Sequence, residues 1–557
     1  MTRRPASLRL IYLLLLLAFP GRHFVAAQIA PGYYAIRFAG KAGNQYSLSR
    51  PQEFLSARAI ERRTRLHIAP DSSDLPVTRF YLDSLRNSGL QVVCTSRWFN
   101  LAVVATNDTS LISKALQLPF VASVRKAQPV SQPQKAFHDK WSQESISGAV
   151  SPLNQTEYGV AYTQIHLHKG DTLHALGYRG RGIHIAVLDA GFYHADTLPA
   201  FRNLYDDHRV LGTRDFVAPE TGVYEDHPHG MQVLSIMAGN VPGQYIGTAP
   251  EASYYLLRTE NTSGEYIVEE YYWTAGAEFA DSAGADIIHA SLGYTVFDDP
   301  SQNHTYSDMN GKTALVSRAA SMAARKGMMV IISAGNEGNK SWKYISAPAD
   351  ADSILAVGAV TATGTLASFS GRGPSSDGRI KPDVVAMGVG TFVQNTAGSF
   401  SPGSGTSFAS PVITGLTACL WQAEPSLTPS ELRSAILMSA SQYDAPDTLK
   451  GYGIPDFSKA LQIARQMMRM KTDSGQISLF PNPARDYLNL AVYFEPSAEM
   501  TIEIFSMTGA MVWKTAYRHC HTAPFILPLN IRHLTPGIYL LHCTDATRHA
   551  TLRFIKQ

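Results

Sequence analysis

Three short segments carry side chains that could do chemistry together. Ile183-His184-Ile185-Ala186-Val187-Leu188-Asp189 reads as an apolar strand ending in a carboxylate, with Gly191 just beyond. His229-Gly230-Met231-Gln232-Val233 sets an imidazole at the head of a helical pattern. Gly405-Thr406-Ser407-Phe408-Ala409-Ser410-Pro411 places a serine among small residues, ahead of an apolar helix from Val412 to Trp421. A serine hydroxyl is inert near neutral pH unless an imidazole takes its proton. That imidazole works best when a buried carboxylate fixes its tautomer and stabilises the imidazolium. At a helix start the serine also lies beside free N–H groups and the positive end of a dipole, which suit a developing oxyanion. The chemistry this set predicts is nucleophilic acyl transfer.

The elements needed to hold such a set are present around it. Between about Tyr158 and Met467 short apolar runs alternate with helical patterns. Ile183 to Leu188, Ser253 to Leu257, Ala285 to Ala290, Met328 to Ser333 and Ile354 to Val360 read as strands, with helices over Ile267 to Ala283 and Lys312 to Lys326. This alternation predicts an α/β fold, a parallel sheet with helices on both faces, whose ligand sites lie at the carboxyl ends of the strands. Thr428-Pro429-Ser430-Glu431 reads as a capping box with proline at the first helical position.

The chain order Asp189, His229, Ser407 is that of subtilisin rather than of the α/β-hydrolases, and no G-x-S-x-G elbow is present. On these three motifs, residues 158–465 resemble a subtilisin-like serine peptidase (subtilase). The resemblance implies an oxyanion-hole asparagine within a Ser-Ala-Gly-Asn segment; Ser333-Ala334-Gly335-Asn336 matches it and gives that role to Asn336 beside the Ser407 amide. It also implies that Ser291-Leu292-Gly293 is a backbone strip pairing with an extended substrate, with Ala334-Gly335 in the facing wall, so that peptides bind by strand addition. Met231 stands where the family usually has threonine, and Tyr294 where a second glycine is common. The first changes packing around the imidazole; the second reshapes the pockets for substrate side chains.

The flanks have their own character. Arg3, Arg4 and Arg9 precede an apolar run from Leu10 to Phe19 and then Val25-Ala26-Ala27, the three parts of a secretory signal peptide over residues 1–27. Residues 28–127 read as a βαββαβ module with a doubled first helix. The module resembles the ferredoxin-like inhibitory propeptide of subtilases. A Gln-, Ser- and Pro-rich linker is expected over 128–157 and a polar one over 466–476. Residues 477–557 read as a small all-β sandwich. With Leu479-Phe480-Pro481-Asn482-Pro483 at its start and Pro536-Gly537-Ile538-Tyr539 before a late strand, it resembles the sorting domain of type IX secretion. That resemblance implies a Bacteroidota-like bacterium and passage through the periplasm and outer membrane to the cell surface or medium.

Composition excludes other classes. The chain has 557 residues, 48 Lys+Arg against 45 Asp+Glu and a net charge of +3, too little for a nucleic-acid footprint. Its 45% apolar and 10% aromatic content argues against disorder. Cys94, Cys419, Cys520 and Cys543 are too few for a disulfide scaffold. Cys419 reads as a core residue, while Cys520 and Cys543 could pair or stay free. A zinc site at His227-Pro228-His229 with Glu225 or Asp226 is the rival reading of the central motif, unsupported by H-E-x-x-H or a cysteine pair. The chemistry needs no cofactor; many relatives bind calcium, and no ligand cluster here is assigned to it. The chain is expected to be a secreted serine endopeptidase acting through an acyl-enzyme on protein or peptide substrates. Its own propeptide would be an intramolecular inhibitor and the outer-membrane secretion machinery a partner. The alternative is a catalytically inactive subtilase-fold surface or binding protein.

Overall fold

The computed structural model describes residues 32–129, 157–219, 222–474, 477–494, 499–518, 525–546 and 548–557. The expected signal peptide and nearly all of the 128–157 linker lie outside them. Among the described residues no helix is long and apolar enough to cross a membrane.

The N-terminal module comprises β1 (Gly32–Phe38), α1 (Ala57–Arg65), α2 (Arg79–Asn87), β2 (Gln91–Ser96), β3 (Leu101–Thr106), α3 (Thr109–Ala115) and β4 (Val121–Pro129). Its antiparallel sheet runs β2-β3-β1-β4. With α2 and α3 as the two crossover helices, this is the expected ferredoxin-like arrangement. Strand alternation divides the sheet between two cores. Tyr34, Ile36 and Phe38 point at α2 and α3, where Tyr81, Leu85 and Ile112 meet them. Ala35, Leu101 and Val103 point the other way, into a core shared with the central module. β4 runs past its expected end because Gly32 pairs with Pro129.

The central module is built on β5 (His184–Asp189), β6 (Val210–Asp215), α4 (His229–Ala238), β7 (Ser253–Arg258), α5 (Val268–Ala283), β8 (Ile287–Ala290), α6 (Leu315–Arg325), β9 (Met329–Ser333), β10 (Leu355–Val360), β11 (Val384–Met387), α7 (Thr406–Ala423), α8 (Pro429–Ser439) and α9 (Phe457–Ser474). Its seven strands lie in the order β11-β10-β9-β8-β5-β7-β6 and are parallel. β5 is fully apolar from Ile185 to Leu188 because both its faces are covered. Ile185 and Val187 enter the core with α4 and α7, Ala186 and Leu188 the core with α5 and α6. The capping box forms: Thr428 accepts from the Glu431 amide, and the Glu431 side chain accepts from the Thr428 amide.

Most of the segment expected as the 466–476 linker is helix instead, since α9 continues to Ser474. Phe457, Ala460, Leu461, Ala464 and Met467 form an apolar stripe buried in the main core, and that stripe carries the helix into the polar stretch. β12 (Ile477–Phe480), β13 (Tyr487–Val492), β14 (Met500–Ser506), β15 (Met511–Tyr517), β16 (Phe525–Asn530), β17 (Gly537–Thr544) and β18 (His549–Lys556) follow. They form two antiparallel sheets, β12-β13-β16 and β15-β14-β17-β18, around one apolar core. Phe480 and Ala491 of this module join the central core, and Tyr443 donates to Asn489 across the junction at 3.0 Å. Cys543 is buried in β17, while Cys520 lies outside the described residues.

Candidate active site

Each element delivers its side chain to one end of the sheet. Asp189 is the last residue of the central strand β5, His229 the first of α4, and Ser407 the second of α7. Ser291 follows β8 and Asn336 follows β9, the neighbouring strands. All five therefore lie at strand carboxyl ends or helix starts, where open α/β sheets bind ligands.

Asp189 is fully buried and its Oδ1 accepts from His229 Nδ1 at 2.7 Å and from the Ala190 amide at 2.7 Å. The imidazole is thereby held through Nδ1, which leaves Nε2 as the nitrogen that can serve as a base. The close approach needs Gly230: a Cβ there would fall 2.8 Å from Asp189 Cβ and 2.4 Å from the Gly191 carbonyl. The His229 ring lies 6.0 Å from the ring of Phe408, next to Ser407. Ser407 is half-exposed, and its hydroxyl donates to the Ser291 carbonyl at 3.3 Å. The single hydroxyl proton of Ser407 is thus directed at Ser291, and the hydroxyl has to rotate before an imidazole can take it.

Asn336 is held by Thr406, whose amide and hydroxyl both donate to Oδ1, at 2.9 and 2.8 Å. With its oxygen occupied in this way, Nδ2 is the group offered to the cleft. The place a Cβ would take on Gly405 lies 3.5 Å from Asn336 Nδ2 and 3.7 Å from the Ser407 amide nitrogen. Both nitrogens therefore lie near one point at the start of the nucleophile helix.

Of the substrate-strip residues, Ser291 and Leu292 are buried and Gly293 is exposed; opposite them Ala334 is buried and Gly335 half-exposed. Gly335 adopts φ +96°, a backbone that favours glycine. Tyr294 does not project into the cleft: its ring is buried, its hydroxyl bonds to Glu260, and its backbone pairs with Ala347. Burial, with Glu260 and Glu269 beside it, raises the phenol well above its ordinary value. Met231 packs wholly inside the main core.

Two residues at the site were not flagged by any motif. Ser346 is buried with no hydrogen-bond partner for its hydroxyl, which stands between Gly293 and Gly335. Cβ atoms on those glycines would lie 2.1 and 2.6 Å from it. His289, buried in β8, bonds to Ser291. The only sequence signal for His289 is a polar ring in an otherwise apolar strand; for Ser346 there is none.

Three of the four side chains named in the zinc reading take part in other bonds. His227 Nδ1 accepts from the His229 amide, His229 Nδ1 serves Asp189, and Asp226 pairs with Arg258 at 3.1 Å. Among the described residues the acidic grouping close enough to hold an ion is Glu260, Glu265 and Glu269. There Glu269 accepts from the Asn261 and Tyr266 amides and Glu260 from Tyr294, so these carboxylates organise the loop before α5.

The N-terminal module docks on α5 and α6 through buried charge. Arg62, Arg63 and Arg97 all reach Asp281, at 2.5, 2.8 and 2.7 Å. Glu278 accepts from the Ser96 hydroxyl and the Arg97 and Trp98 amides. In return Lys326, at the end of α6, donates to Asp74 at 3.0 Å. The extra helix α1, which the βαββαβ pattern does not require, is part of this clasp: Arg58 also reaches Asp286 and the Gly284 carbonyl.

Comparison with known proteins agrees with the geometry. Residues 180–453 match the subtilase family, 33–143 the Bacteroidota propeptide domain of peptidase family S8, and 478–557 a secretion system C-terminal sorting domain. Subtilisin DY of Bacillus licheniformis is 31% identical over 280 residues, 50% of this chain and 90% of that protein. The serine protease AprX of Bacillus subtilis is 30% identical over 332 residues, covering 54% and 70% of the two chains. Subtilisin E of the same organism is 30% identical over 300 residues, covering 53% and 69%. The chain belongs to the subtilase family: it is a subtilisin-type serine endopeptidase with an N-terminal propeptide and a C-terminal sorting domain that directs it to the cell surface or the extracellular space.

Proposed function

We propose that this protein hydrolyses peptide bonds through an acyl-enzyme formed on Ser407. The observation that carries the reading is an imidazole bonded to a fully buried carboxylate, with its ring beside Phe408, the residue that follows the half-exposed Ser407. Ser407 Oγ attacks the scissile carbonyl while His229 Nε2 takes its proton, and Asp189 stabilises the imidazolium. Asn336 Nδ2 and the Ser407 amide hold the oxyanion. His229 then passes the proton to the leaving amine, and a water molecule, activated by the same imidazole, releases the acyl group. The substrate lies extended along Ser291, Leu292 and Gly293, facing Ala334 and Gly335. The side chain preceding the scissile bond enters between Gly293 and Gly335 and meets the Ser346 hydroxyl. No cofactor takes part in these steps.

The propeptide acts as an intramolecular inhibitor clasped on α5 and α6, and the sorting domain is the part handled by the outer-membrane secretion machinery. Fluorophosphonate labelling tests the central claim: the processed enzyme should take one label at Ser407, and Ser407→Ala should abolish both label and casein cleavage. An unlabelled, folded protein would instead fit an inactive surface or binding protein.

A further inference from the structure

The nucleophile's own backbone carbonyl has lost its helical partner. In α7 the residue four positions after Ser407 is Pro411, which has no N–H to donate. The Ser291 hydroxyl supplies the missing donor, at 2.9 Å from the Ser407 carbonyl oxygen. Behind Ser291 stands His289, whose Nε2 lies 3.0 Å from Ser291 Oγ and whose Nδ1 lies 2.8 Å from Thr414 Oγ1, two turns along α7 from the nucleophile. The ring is fully buried.

Proton counting gives this chain a direction. Ser291 has one hydroxyl proton, and it goes to the Ser407 carbonyl, so His289 Nε2 must be the donor to Ser291. Burial first, and the nearby His229 second, push the His289 imidazole down to about 3, so the ring is neutral and carries one proton. Nδ1 is therefore an acceptor, and Thr414 Oγ1 lies between it and the Ser410 carbonyl, 2.8 and 3.0 Å away, with one proton to give to either. The result is one directed path, His289 to Ser291 and Ser291 to the Ser407 carbonyl, with Thr414 against the far side of the ring.

We propose that His289 is a positioning residue that, through the Ser291 hydroxyl, fixes the first turn of the nucleophile helix and so aims both Ser407 Oγ and the Ser407 amide. The proposal rests on Ser407 being the nucleophile. Both reacting groups of that residue move with its backbone, so a tilt of the first turn misplaces the attacking oxygen and one oxyanion donor together. Ground-state binding along the exposed Gly293 edge is untouched, and the loss falls on kcat rather than KM.

The test compares the processed wild-type enzyme with His289→Leu, His289→Gln, Ser291→Ala and the Ser291→Ala/His289→Leu double variant. Each is measured by the second-order rate of fluorophosphonate labelling at Ser407, by kcat and KM on a peptide substrate, and by Tm. Loss of one neutral hydrogen bond in the path predicts labelling and kcat about five- to tenfold slower in His289→Leu, with KM within about twofold. Glutamine places an N–H donor where Nε2 stood, so His289→Gln should stay within about threefold of wild type on the same grounds. Ser291→Ala should match His289→Leu, and the double variant should lose less than about twofold more, because both changes cut one path. If His289→Leu does not fold, Ser291→Ala with and without His289→Gln makes the same comparison: Ser291→Ala slow, the second change without effect. Folded variants that lose only Tm, or a double variant with fully multiplied losses, would overturn the relay while leaving Ser407 as nucleophile. A wild-type enzyme that takes no label at Ser407 would overturn both.

Discussion

Arg62 of the propeptide donates to the Asp281 carboxylate of the peptidase domain at 2.5 Å, and neither side chain is more than 1% exposed. A buried pair broken on one side leaves an uncompensated charge and costs about 3 kcal/mol or more, roughly a hundredfold in affinity. Mature enzyme carrying Asp281→Ala should therefore resist inhibition by separately added propeptide about a hundredfold better than wild type, with its peptidase activity intact. Equal inhibition constants would show that the clasp does not hold the two domains together.

Thr406 occupies the Asn336 oxygen, which leaves Nδ2 for the oxyanion role proposed above. Asn336→Ala should lower kcat by about 10²–10³ with little change in KM; the magnitude is the one known for subtilisin's own oxyanion asparagine and is carried over here. A KM effect without a kcat effect would place Asn336 in substrate binding instead.

The unpartnered Ser346 hydroxyl stands between two glycines. Ser346→Gly should empty that space and raise the preference for phenylalanine over alanine before the scissile bond by about tenfold, the scale of one small group in a substrate pocket. A peptide library in which only that position varies gives the ratio directly. An unchanged ratio would put the substrate side chain elsewhere.

His168, His174 and His289 are held neutral by burial, the first two at about 4 and the third at about 3, against 6.5 for a free imidazole. As pH falls below 6.5 the unfolded chain takes up protons that the folded domain refuses. Stability is thus full above that value and drains away toward pH 4. Each ring accounts for about 2 kcal/mol between pH 7 and pH 5. Urea unfolding of the Ser407→Ala protein, which cannot digest itself, should show a markedly lower midpoint at pH 5; equal midpoints would contradict the burial of these rings.

The placement of three residues at one end of the sheet was legible because it is written in local pattern: an apolar strand ending at Asp189, and helix starts at His229 and Ser407. The βαββαβ order and the Thr428 to Glu431 cap were legible for the same reason. Residues whose meaning depends on distant partners were not. Arg62 and Arg63 sit in a stretch that reads as a charged surface helix, and only docking on Asp281 buries them. Ser346 acquires a role from two glycines on other loops. α9 looked finished at its polar end because the stripe that sustains it is visible only against the core it covers.

α9 also decides how force enters the molecule. The helix is anchored at Phe457, whose amide bonds to the His168 carbonyl, and its apolar stripe belongs to the same core that receives Phe480 and Ala491 from the β module. Tension on the sorting domain would therefore reach the body of the peptidase through this shared core. A pull on the tail would thus be felt in the same core from which β5 and β9 carry Asp189 and Asn336 to the end of the sheet.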